Sequence, residues 1–143
     1  MKNHSMAKEW LKASNYDLEV IREILENRHL THMSAFHAQQ SLEKSLKSIL
    51  EFHNQKVPKI HNIKKLLKLT KKYISFDTDI DTDIDTVIKI DTLYIESRYP
   101  GDMGLLPYGQ PTLNDAKEFY EFANYIFDKI CNILDVDKQK LMS

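Results

Sequence analysis

Apolar residues in this chain recur at three- and four-residue intervals, the period of helices that bury one face. The clearest case is residues 34–52. There Ala35, Ala38, Leu42, Leu46 and Ile49 share one side, while His37, Gln40, Lys44, Lys47 and Glu51 share the other. Small alanines at its start let a neighbouring helix approach, and the larger Leu and Ile fill space further along. Upstream, Ala7, Leu11, Leu18, Ile21 and Leu25, with Ser14 in the same row and Trp10 beside it, predict a helix over 6–27 that stops at Asn27. The link 28–32 is so short that the two helices must be antiparallel, with Thr31 or Ser34 capping the second.

Val57-Pro58 breaks the pattern, because the residue before a proline is pushed out of helical angles. A third, shorter helix is predicted over 62–73, with Ile63, Leu66, Leu67 and Thr70 inward and Lys64, Lys65, Lys68, Lys71 and Lys72 outward. A fourth spans 83–98, burying Val87, Ile88, Leu93 and Tyr94 or Ile95, and ends at Pro100-Gly101. Residues 101–111 hold all 3 glycines and read as an irregular loop. Thr112, with Asp115 three residues on, opens a last helix over 113–134 whose core row is Ala116, Phe119, Ala123, Ile126, Phe127, Ile130 and Leu134. The residues after Asp135 read as a polar tail. The expected fold is all-α: an up-and-down bundle of four long helices plus a shorter fifth.

At 143 residues, with 3 Gly and 4 Pro, the chain reads as one helical domain with its core over about 6–135. The single cysteine, Cys131, falls on the buried side of the last helix and forms no internal disulfide. A net charge of −1 gives no global attraction to polyanions, so any such binding must be local. One local source exists, since no acidic residue occurs between Phe52 and Phe76. Residues 77–86 are the opposite, with aspartate at alternate positions, and read as an acidic low-complexity linker. Their spacing begins like a calcium loop, but Ile84 and Ile90 stand where that loop needs Gly and Glu. Scattered histidines and well-separated glycines offer neither a zinc set nor a phosphate loop, so no metal and no cofactor are expected. Residues 1–6 are polar and no apolar run reaches the roughly 18 residues of a membrane span. The expectation is a cytoplasmic protein without membrane contact.

His37, Gln39, Gln40, Glu43, Lys44 and Lys47, followed by His61-Asn62-Ile63 and by Ser97-Arg98-Tyr99-Pro100, resemble the prokaryotic HEPN domain. The resemblance runs from about residue 10 to 134. It implies the helical bundle, a tendency to dimerise, and a role as nucleotide-binding module or partner of a small, separately encoded nucleotidyltransferase in a toxin-antitoxin-like system. Enzymatic HEPN proteins are metal-independent ribonucleases marked by an Arg and a nearby His, with a polar residue after the Arg. Here Arg22 and His29 match the spacing but lie in the first helix, and no His follows His61, so no catalytic residue is assigned. A ribonuclease toxin and a pure interaction scaffold are the alternatives. A bundle could gather Gln40, Lys44, Lys47, His61, Arg98 and Tyr99 into one site for a nucleotide or other phosphorylated ligand, with RNA as a less favoured one. That cleft would lie between the basic helix and the 98–109 loop. Tyr120, Phe122 and Tyr125 fall outside the last helix's core row and motivate a homodimer.

Overall fold

The computed structural model describes residues 4–75, 84–96 and 109–141. The long helices α1 (His4–Ile24), α2 (Thr31–Phe52) and α5 (Leu113–Ile133) frame it, with α3 (Ile63–Thr70), α4 (Ile84–Glu96) and a single-turn α6 (Lys138–Leu141) set around them. No β-strand occurs among the described residues. This is the expected bundle with one added turn of helix.

α2 is the axis. It packs on α1, α3, α4 and α5, and fourteen of its 22 residues are buried. A helix so enclosed cannot keep a solvent-facing polar side, and Gln39, Glu43 and Lys47 are buried along with Leu42, Leu46 and Ile49. Against α1 the contact is small and hydroxylic: Ser14 Oγ lies 2.8 Å from Ser41 Oγ and 2.7 Å from Ser45 Oγ, and donates to the Ser41 carbonyl at 2.9 Å. Serines admit a closer helix approach than leucines would, and here they satisfy one another's hydroxyls.

Several boundaries differ from the sequence expectation, each for a local reason. α1 ends at Ile24, and Asn27 instead caps the 3-10 turn Arg28–Leu30 by accepting from His29 N at 2.9 Å. Neither Thr31 nor Ser34 caps α2: Leu30 occupies the N-cap without a side-chain bond, and Thr31 is inside the helix, taking a hydrogen bond from Gln110 Nε2. α3 is shorter than 62–73, because Asn62 is its N-cap, accepting from Lys65 N at 2.9 Å. In α4, Val87, Ile90 and Leu93 are buried while Ile88 is exposed. The 77–86 linker lies largely outside the described residues, as do Arg98, Tyr99 and Tyr108.

The ends of α2 and α5 share one device. Asn54 and Asp135 take left-handed angles (φ 56° and 55°). Gln55 N then bonds back to Leu50 O, and Val136 N to Cys131 O. These are Schellman closures built on Asn and Asp, the side chains that tolerate that region best after glycine. The second one turns the chain into α6, which returns against α1 and buries Leu141. The expected polar tail is therefore partly structural. Thr112 and Asp115 form the predicted capping box. Cys131 is buried, and burial pushes its thiol up to about 12.

The position of α3 depends on α4. Asp91 accepts from Ile63 N at 2.7 Å and Lys64 N at 3.1 Å, satisfying two of the amides that the first turn leaves open. Asp91→Ala should cost about 2 kcal/mol, the upper range for a lost helix cap, because two buried or half-buried amides lose their acceptor. Urea unfolding of that variant checks it. Asp91→Asn, which keeps one acceptor, should recover part of the loss.

Candidate functional site

Two carboxylates organise the polar side of α2. The first is Asp17 on α1, which lies 2.8 Å from His37 Nδ1 through Oδ1 and accepts from Lys44 Nζ at 2.7 Å through Oδ2. His37 and Lys44 are two helical turns apart on α2, so a single carboxylate spans them and pins the α1–α2 register. Trp10 extends the seam by donating to Glu51 Oε2 at 3.3 Å.

The second is Glu43 on α2. Its Oε2 takes the Lys47 ammonium at 2.9 Å, the next turn along the same helix. Its Oε1 takes Gln39 Nε2 at 3.1 Å and lies 2.8 Å from His61 Nδ1. Gln39 Nε2 also donates to the His61 carbonyl at 2.8 Å, and its own Oε1 accepts from Gln40 Nε2 at 2.6 Å. Burial alone would raise the Glu43 carboxyl. The hydrogen bonds from Lys47, His61 and Gln39, with the Lys47 charge, outweigh it and hold Glu43 below its ordinary 4.5. An ionised carboxylate only accepts, so His61 carries its proton on Nδ1 and keeps Nε2 as its second nitrogen.

His61 is the part of this network that meets solvent. Its side chain is 46% exposed, against 8% for Glu43 and 6% for Lys47. The Tyr94 ring of α4 stands beside it, 5.3 Å between centroids. Lys47 also lies 5.9 Å from the Trp10 ring centre, a cation-π contact.

The structure divides the expected ligand residues. Lys47, His61 and, through Gln39, Gln40 join the Glu43 network, while Lys44 belongs to Asp17. Neither lysine is a free charge, since each has a carboxylate within 3 Å. Arg98 and Tyr99 lie outside the described residues. The sequence reading missed Asp17 and Tyr94 as contributors and named Glu43 only among the residues of the family resemblance. Glu43 was recoverable, because Glu and Lys four apart are neighbours on a helix. Asp17 carried no such signal, its partners being 20 and 27 residues away.

Of the three aromatic residues outside the core row, one is buried and two are half-buried. Phe122 is buried, and Tyr120 and Tyr125 pack against the core. Tyr120 Oη accepts from Arg22 Nε at 2.8 Å, so Arg22 of the candidate ribonuclease pair is engaged with α5. Among the described residues no group of three His, Cys, Asp or Glu is placed to hold a metal, and no helix is long and apolar enough to cross a membrane.

An enclosed central helix whose carboxylates fasten it to its neighbours defines this as an all-helical bundle with a polar-laced core. The HEPN domain model matches residues 7–134, and the chain belongs to the HEPN domain family. The fold is similar to the crystal structure of an archaeal HEPN homologue, with a TM-score of 0.63 at 23% identity over 90% of this chain and 97% of that one. At that identity the likeness concerns fold alone. No curated protein matches significantly.

The Glu43–Lys47 pair should be asymmetric under mutation. Lys47→Met leaves a buried carboxylate without its cation and should cost about 3 kcal/mol, whereas Glu43→Leu with Lys47→Met should recover most of that, because a packed apolar pair often replaces a buried ion pair at little cost. Chemical denaturation of both variants tests this. The pH dependence has a definite sign. An acid whose folded pKa is lowered stabilises above its unfolded pKa, and that contribution is lost as pH falls through the folded one. Unfolding midpoints should therefore drop on acidification below 4.5, and Glu43→Gln should lack this component. Asp91, raised by burial against the amide bonds of Ile63 and Lys64, acts with the opposite sign.

Proposed function

We propose that this HEPN domain is a non-catalytic binding module that holds a nucleotide or other phosphorylated ligand, or serves a separately encoded nucleotidyltransferase as its partner in a toxin-antitoxin-like pair. The observation that carries this reading is His61. A buried carboxylate orients its imidazole, nearly half of which is open, and an aromatic ring stands beside it. A phosphate could accept from a protonated imidazole and a base could lie against a ring, which suits a nucleotide better than a bare anion. Lys44 and Lys47 would shape this site through Asp17 and Glu43 rather than supply unpaired charge. Gln40 adds an amide held through Gln39. Arg98 and Tyr99 follow α4, the helix that carries Tyr94, by a few residues of sequence, and complete the proposed set.

Binding is favoured over RNA cleavage because the sequence holds no His beyond His61, so no Arg–His pair stands in the later region where the family's ribonucleases carry it. Homodimerisation and a cytoplasmic setting belong to this reading through the family.

Titrating the protein with ATP and following its melting temperature tests the reading. Binding should raise the melting temperature, and Arg98→Ala should weaken ATP by about tenfold, the loss of one charge-assisted contact, without lowering the stability of the unliganded protein. A lower melting temperature with unchanged ATP affinity would make Arg98 structural. Metal-free RNA cleavage abolished by Arg22→Ala or His29→Ala would favour the ribonuclease instead. If neither ATP nor other nucleotides move the melting temperature, the scaffold reading gains.

A further inference from the structure

A second surface shares no lining residue with the α2 network. The outer face of α3 carries a groove of about 670 Å³ lined by Ile60, Lys65, Lys68, Leu69, Lys71 and Lys72. Seven of the chain's 20 basic residues fall between Phe52 and Phe76, where none of its 21 acidic residues occurs. On α2 both lysines are matched by carboxylates. No ion pair is made by Lys65 or Lys68 on α3, or by Lys71 or Lys72 just past its end, among the described residues.

That arrangement costs the free protein something. Lys68 has Lys64 and Lys65 one turn before it on α3, where like charges repel, and Lys71 and Lys72 three and four residues on, just past the helix end. In the middle of them Leu69 is 46% exposed, with Ile60 at the groove's edge. An apolar anchor ringed by cations complements a segment with an apolar face and acidic flanks. The lining contains no arginine to fork onto phosphate and no aromatic ring on which a base could stack, the two features that single-stranded nucleic-acid surfaces rely on.

We propose that this groove docks an acidic amphipathic segment of a partner protein, with an apolar side chain of that segment on Leu69 and its carboxylates against Lys65, Lys68 and Lys72. Docking matches the lysines and removes their mutual repulsion. Its lining shares no residue with the ligand site built on His61, so it stands independently of the nucleotide reading.

The probe is a fluorescein-labelled helical peptide with leucine along one face and glutamate on the others, titrated against the full chain and read by anisotropy. A second labelled probe is oligouridylate. The peptide should bind saturably and more weakly as salt rises. Leu69→Gln alone, and Lys65→Gln, Lys68→Gln and Lys72→Gln together, should each weaken it at least tenfold. Lys8→Gln on α1 should leave it unchanged, and a peptide of the same composition with its leucine face scattered should bind at least tenfold more weakly. All the substituted positions are exposed, so melting temperatures verify that each variant folds. Absence of saturable peptide binding, or binding indifferent to Leu69→Gln, overturns the proposal. Oligouridylate binding that needs the three lysines but not Leu69 also overturns it and assigns the face to nucleic acid.

Discussion

Placing a carboxylate inside the most enclosed helix of the bundle is the constraint on which the other arrangements depend. Glu43 has to be satisfied there, because an unpaired buried charge costs several kcal/mol. Its partners come from three levels of structure. Lys47 is one turn away on the same helix, Gln39 one turn the other way, and His61 arrives from the loop before α3. The first two are local and cost little to organise. The third is long-range and ties the mouth of α3 to the centre of the bundle. Asp91 then fastens the same short helix from α4. An eight-residue helix is too short to persist alone, so these two carboxylates, with the burial of Ile63 and Leu66, account for its fixed place.

The α1–α2 seam solves a different problem. Long antiparallel helices with smooth apolar faces can slide by a turn with little penalty. Here Ser14 meets Ser41 and Ser45, and Asp17 meets His37 and Lys44, so a one-turn slip would strand buried hydroxyls and a carboxylate together. Specificity of register is the best-attested use of buried polar groups, and this seam has the form that use requires.

The apolar rows of α1, α2 and α5 were legible in the sequence because they derive from a single period that packing does not change. Thr112 with Asp115 was legible for the same reason, a cap being a local arrangement. What periodicity could not show was which helix lies against which face. His37, Gln40, Lys44 and Lys47 form one stripe on paper, yet His37 and Lys44 meet Asp17 of α1 while Lys47 meets Glu43, so the stripe is divided between two carboxylates. Tyr120 falls outside the core row on a helical wheel but reaches Arg22 on another helix. Leu141, a lone apolar residue among polar ones, had no periodic neighbours to mark it. The turn that brings it back is made by Asp135 in a left-handed conformation, which composition does not signal.

Charge shows what the two surfaces of this protein can and cannot attract. Around α2 the ammonium groups of Lys44 and Lys47 are cancelled by Asp17 and Glu43, so an anion gains little from long-range attraction there and must be held by short, directed bonds. Such bonds act over a few ångströms and discriminate by shape. On α3, Lys65 and Lys68 make no ion pair among the described residues, their field extends about a Debye length, roughly 8 Å at physiological salt, and a partner is drawn in before any contact is made. The same residue type therefore serves as a fastener on one helix and as an attractor on the next. The difference comes from whether the fold has placed an acid within reach, and the run between Phe52 and Phe76 contains no acidic residue of its own.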